Sequence, residues 1–108
     1  MLMRRKRKMK KMLNELKKII SSDCDFTVDI NPVDFRVNIS REMWESNIFS
    51  VVYSDMSETP YLDIDDQDEE FQYALDLHMI KNILSVMKWM DENLEEIKQC
   101  IYACGKAV

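Results

Sequence analysis

The sequence predicts an α+β domain, a two-layer sandwich built from an N-terminal helix, an antiparallel meander of three to four strands and a long C-terminal helix. Two observations carry this prediction. Apolar residues recur at helical spacing near both ends of the chain, and they alternate at period two through adjacent central runs. A third narrows what such a domain can do: with one Gly and two Pro in 108 residues, there is little material for phosphate-cradling loops or strained nucleophile turns. The length suits one core and not two.

In the first element Met9, Met12, Leu13, Leu16, Ile19 and Ile20 share one face, with lysines on the other, so an amphipathic helix runs to about Ile20. Ser21, Ser22 and Asp23 end it. The apolar stripe does not reach back through "RRKRK", so residues 1–8 read as a basic arm, either a frayed first turn or a disordered tail, ahead of a single domain over residues 9–108.

"DFTVDI" places Phe26, Val28 and Ile30 on one side, and "VDFRVNI" repeats the alternation with Val33, Phe35, Val37 and Ile39, as half-buried antiparallel strands do. Asn31 and Pro32 form a turn or a bulge between them. "NIFSVVYS" is rich in β-branched and aromatic residues and makes a further strand. "YLDID" adds a fourth, with Leu62 and Ile64 inward, and its neighbour Pro60 suits an edge position.

Over residues 69–103 the pattern is helical. Leu77, Met79, Ile80, Ile83, Leu84, Val86, Met87 and Met90 cover an arc of roughly 220°, and a helix so apolar needs cover on two sides. Unbroken, it would reach about 50 Å, which leaves two outcomes. Either "MDENLEE" breaks it, with Asp91 or Asn93 as a cap, or its far half projects and pairs with a second copy; the reading favours a homodimer through the long helix. The same element order occurs in double-stranded-RNA-binding domains, but their last helix opens with basic residues. Here that place holds Asp65, Asp66, Asp68, Glu69 and Glu70.

Net charge is −5, and its distribution matters more than its sum. Residues 1–18 carry nine Lys or Arg against one Glu, so the remaining ninety residues sum to −13. An acidic body of this kind is repelled by phosphate backbones and anionic lipid and attracts basic protein surfaces. Hydrophobic residues at 46% and charged ones at 32% describe a folded globule, without a membrane-spanning run or a secretory signal. Three cysteines, Cys24, Cys100 and Cys104, read as reduced thiols in a cytoplasmic protein.

Eight carboxylates fall within residues 55–70 with no Lys or Arg among them: Asp55, Glu58, Asp63, Asp65, Asp66, Asp68, Glu69 and Glu70. They do not make an EF-hand, because a loop starting at Asp63 has Asp68 where Gly is required and Ala74 where the bidentate Glu belongs. A loose Mg²⁺ or Ca²⁺ site on Asp63, Asp65 and Asp68 and a solvated helix start are bland alternatives. The sharper reading is a partner-binding face on Asp63, Asp65, Asp66, Asp68, Glu69 and Glu70, with Trp44 and Trp89 as aromatic anchors.

Cys100 and Cys104 stand one helical turn apart, yet the single histidine, His78, lies 22 residues from Cys100, about 33 Å along a straight helix. Cys24 adds a third thiol without a fourth ligand, and His78 itself reads as a solvent-facing ring, so neither a zinc pattern nor a nucleophile pair emerges. No catalytic residue, cofactor or metal is expected.

The function expected is therefore that of a small non-enzymatic acidic protein that binds and blocks a basic partner, nucleic-acid-binding proteins being one such class, by standing in for phosphate, as small acidic inhibitors carried by phages and mobile elements do. The alternative is a dimeric nucleic-acid-associated regulator using Arg4, Arg5, Lys6, Arg7 and Lys8, nonspecifically and with strong salt dependence. A further alternative is a small acidic chaperone or adaptor.

Overall fold

The computed structural model describes residues 2–41, 48–63 and 74–106. Helix α1 spans Leu2–Ile19, so the backbone of the basic tract continues the helix instead of standing apart from it. Met12, Leu16 and Ile20 are buried along its inner stripe, while Leu13, at the stripe's margin, is exposed. The last turn closes with the Ile20 amide donating to the Leu16 carbonyl, and a turn from Ser21 to Cys24 leads into the sheet.

Four strands follow as an antiparallel meander in the order β1-β2-β3-β4: β1 Cys24–Ile30, β2 Asp34–Arg41, β3 Phe49–Ser54 and β4 Tyr61–Asp63. Register pairs Val28 with Val37 and Val37 with Val51, so the inward rows of adjacent strands stack on one face. Phe35, Val37, Ile39, Phe49 and Val51 are fully or almost fully buried there. Phe26, Val28 and Ile30 belong to the same face but are half-buried, because β1 is an edge strand with a neighbour on one side only.

Val33 does not join that row. It is 60% exposed, because it lies in the β1–β2 turn, whose form is set by Asn31. The Asn31 side-chain oxygen accepts from the amides of Val33 and Asp34, each at 2.8 Å, as an Asx-type turn requires. Pairing of Ile30 with Phe35 runs directly into this turn without a bulge. Leu62 is half-buried on the inner face of β4, and Ile64 lies outside the described residues.

The long C-terminal helix expected over residues 69–103 is two helices. Helix α2 spans Leu77–Glu92 and α3 spans Leu94–Lys106. Asp76 caps α2, its side chain accepting from the Met79 amide at 3.0 Å. The break falls at Asn93, at φ −121° and ψ 24°, whose amide closes back on Met90 O while its carbonyl already accepts from Ile97 N. The Asn93 side chain donates to Trp89 O, and the chain restarts as helix at once. At 16 residues, α2 is about 24 Å long.

Helix α3 turns back over the sheet, with Ile97 and Ile101 buried and the Cys104 thiol 3.8 Å from Ile30 O at the far end of β1. This removes the projecting half-helix on which pairing with a second copy was argued. The apolar arc of α2 is also wider than its buried face. Met79, Ile83, Val86 and Met90 enter the core together with Asn82 and Trp89, whereas Leu77, Ile80 and Leu84 on the opposite flank are exposed. The described helices α1, α2 and α3 lie on one side of the sheet, completing the two-layer α+β sandwich.

Candidate functional site

Of the acidic residues expected to bind a partner, Asp63 is described and Asp65, Asp66, Asp68, Glu69 and Glu70 lie outside the described residues, as does Trp44. Asp63 ends β4 on the outer sheet face, opposite Ser50. Its carboxylate accepts from Arg36 Nη1 at 2.8 Å, and Arg36 Nε reaches Asp34 at 3.1 Å, so one guanidinium spans two carboxylates and its own charge is held more firmly than usual by both. Trp89 is a core residue and not a surface anchor. It is 6% exposed, lies 6.3 Å from the Phe35 ring, and donates from Nε1 to Glu15 of α1 at 2.8 Å. In the basic tract Arg7 is exposed and Lys8 is half-buried beside Gln99 of α3.

Away from the helices, the outer face of the sheet is a polar lattice. Asn38 donates to Asp29 at 2.7 Å and to Thr27 at 3.1 Å, and accepts from Ser50 at 2.6 Å. Asp25 and Asp29 are exposed on β1 without a cationic partner among the described residues. Alternation places these groups: every residue of β1 to β3 that faces away from the core has a polar side chain, except Val52, which is buried between its register partners Arg36 and Tyr61.

At one corner of the inner layer, the fold collects a group that sequence spacing did not reveal. The turn after α1 and the start of α2 bring Asp23, Cys24 and His78 together, with one donor atom from each lying within 4.8 Å of the others. His78 Nε2 is 3.0 Å from Asp23 Oδ1, and the Cys24 thiol is 3.9 Å from that same oxygen. Beneath them, Asn82 is only 3% exposed, yet fully engaged. Its oxygen accepts from the Ser21 amide at 2.8 Å, and its amide nitrogen donates to His78 O at 3.0 Å and toward the Cys24 sulfur at 3.8 Å. A buried asparagine that ties a turn, a helix carbonyl and a thiol together fixes the relative position of all three.

Arg41 completes the corner. It is the register partner of Cys24 on the inner face of β2, and its guanidinium forms a two-point pair with Asp76 at 2.5 and 2.8 Å. Burial pushes the Cys24 thiol above its ordinary range, the Asp23 charge pushes it further, and the Arg41 charge opposes both. The hydrogen bond with His78 draws the Asp23 carboxyl below its usual value. A neutral buried thiol with a raised pKa is a poor nucleophile by itself, whereas an O, S and N donor set on three neighbouring side chains is metal-ligand chemistry.

The signal for this corner was available only in part. Cys24 and His78 are 54 positions apart in the chain, and their meeting depends on α1 and α2 lying antiparallel, which spacing cannot give. Cys100 and Cys104, grouped with Cys24 by residue type, belong elsewhere: Cys104 is at the Ile30 end of β1, roughly 20 Å along the strand from Cys24. No described helix is long and apolar enough to cross a membrane. In comparisons with known proteins, no family model, no curated protein and no solved structure matches the chain.

Proposed function

We propose that the chain is a small non-catalytic interaction protein that uses its acidic sheet face, together with the acidic tract that follows β4 in the sequence, to bind and block a basic, nucleic-acid-binding protein. The observation that supports this reading best is the outer face of the sheet. Asp25 and Asp29 are exposed there, Asp34 and Asp63 share a single guanidinium, and Asn38 and Ser50 hold the lattice in fixed positions. The chain then leaves Asp63 for five more carboxylates in seven residues. Carboxylates held by hydrogen bonds on a sheet, as Asp29 and Asp63 are, cost little ordering entropy when they meet an arginine-rich groove, and their charge steers such a partner at long range.

Affinity capture from a host extract identifies the partner, and titration of that complex with nucleic acid tests the mechanism. The full chain displaces nucleic acid from the captured protein in a salt-dependent manner. Combined reversal of Asp25, Asp29, Asp65, Asp66, Asp68 and Glu69 to Lys abolishes displacement, and removal of residues 1–8 leaves it intact. Displacement that survives the reversals overturns the reading.

A second reading draws on α1. The helix backbone runs through the basic tract, and Arg7, Lys10, Lys11, Lys17 and Lys18 are exposed on it. Nonspecific nucleic-acid binding through this face predicts the opposite pattern, in which removal of residues 1–8 abolishes binding and the carboxylate reversals do not.

A further inference from the structure

We infer that Asp23, Cys24 and His78 form a binding site for a divalent transition metal ion of the zinc class. The donor set selects the ion: thiolate and imidazole favour Zn²⁺ or Co²⁺ over Mg²⁺ and Ca²⁺, which take oxygen ligands in larger number. The geometry is close to what such an ion needs. With bonds of about 2.0 to 2.3 Å, tetrahedral ligand atoms of such a set stand roughly 3.3 to 3.5 Å apart. Here the imidazole and carboxylate atoms are 3.0 Å apart, the thiol is 3.9 Å from the carboxylate and all three donors lie within 4.8 Å of one another, so binding requires side-chain shifts of up to about 1 Å. The side chains that must shift are free to do so, since those of His78 and Asp23 are 43% and 61% exposed. Cys24, by contrast, is buried and fixed.

The surroundings are arranged as a second shell. Asn82 donates toward the Cys24 sulfur, and the same side-chain nitrogen holds the backbone carbonyl of His78, so one buried group orients the thiol and fixes the helix turn that carries the imidazole. Charge also balances. A dication, the Cys24 thiolate and the Asp23 carboxylate sum to zero, and the neighbouring Arg41 is already paired with Asp76. The exposed side chains of Asp23 and His78 leave the donor group open to an ion from solvent. Three protein ligands leave one position for water or an outside ligand. This site lies on the inner layer, and it stands independently of the acidic outer face.

The test is titration of the fully reduced chain with Co²⁺ and then Zn²⁺, read by absorption. One equivalent of Co²⁺ produces a thiolate-to-cobalt charge-transfer band with tetrahedral ligand-field bands, and Zn²⁺ abolishes both. Cys24→Ser removes the charge-transfer band. Because Cys24 is buried and its replacement can unfold the chain, Asp23→Asn and His78→Asn at exposed positions serve as the second arm. Each lowers Co²⁺ affinity tenfold or more and reduces the rise in thermal midpoint that Zn²⁺ gives the unsubstituted chain. The Cys100→Ser, Cys104→Ser double variant binds as the unsubstituted chain does. Absence of the band at one equivalent, a band indifferent to Asp23→Asn and His78→Asn, or a band lost in the double variant overturns the proposal.

Discussion

Arg41, at the end of β2, clamps both carboxylate oxygens of Asp76, the residue that caps α2. One side chain thus joins the sheet to the first turn of a core helix while the other satisfies the Met79 amide. A guanidinium on the inner face of a sheet would be costly without such a partner, and the pairing explains how Arg41 continues a row otherwise occupied by Phe35, Val37 and Ile39.

Acid stability should report this pair. The Arg41 guanidinium, and then the Met79 amide, lower the Asp76 carboxyl from 3.8 to about 2. A depressed folded-state value means that its contribution is complete above about pH 4 and disappears as pH falls toward 2. Urea unfolding followed across that window should show a steeper loss of stability in the unsubstituted chain than in Asp76→Asn, which keeps a capping oxygen but has no charge to lose. Parallel curves for the two would remove Asp76 from the acid limb.

The β1–β2 turn gives a second expectation. Asn31 accepts from two backbone amides and donates to Asp34 Oδ1 at 2.6 Å. Asn31→Ala therefore leaves Asp34, which is 8% exposed, without one of its two side-chain partners. The expected cost is about 1 to 2 kcal/mol in chemical denaturation, with the far-ultraviolet spectrum unchanged. A cost below about 0.5 kcal/mol, the range of ordinary surface substitutions, would show that the turn is held by its backbone bond alone.

These two devices mark the boundary of what the chain discloses before it folds. Period-two alternation announced Phe35, Val37 and Ile39, because a residue's side of a sheet follows from counting, whereas β3 was announced by its β-branched and aromatic content alone. The same counting extended one residue too far at Val33, where Asn31 turns the backbone before the strand begins. The helix break at Asn93 was visible as one of two options, since "MDENLEE" offers capping groups but does not say whether packing will use them. Arg41 and Asp76 are 35 positions apart, and Asn82 reaches Ser21 across 61. Such polar contacts between distant segments carry no periodic signal, so the corner around Cys24 emerged only with the fold.

Trp89 and Glu15 form the bond that ties α1 to α2. Trp89→Phe deletes a hydrogen bond to a carboxylate and leaves a void beside Phe35, and the expected loss is about 2 to 4 kcal/mol. Glu15→Gln keeps an acceptor and should cost less than about 1 kcal/mol. Circular dichroism in urea separates the two without relying on tryptophan emission. Equal costs would mean that the carboxylate charge, and not the indole packing, holds the helices together.

Asn82 is the polar residue on which the inner corner turns, and its replacement distinguishes a positioning role from simple filling of space. Asn82→Leu conserves volume, so a site that needed only bulk would tolerate it or gain from it. The hydrogen bonds argue otherwise: the Ser21 amide loses its acceptor, and both His78 O and the Cys24 sulfur lose a donor. A cost of about 1 to 3 kcal/mol in urea denaturation is expected from the unpaired Ser21 amide. Asn82→Asp restores the acceptor for Ser21 but not the donors. It also buries a carboxylate at a position only 3% exposed, so it should be less stable than the unsubstituted chain, and Co²⁺ affinity reads separately whether the donor to the Cys24 sulfur matters. A leucine variant more stable than the unsubstituted chain, with unchanged Co²⁺ affinity, would show that Asn82 positions neither ligand.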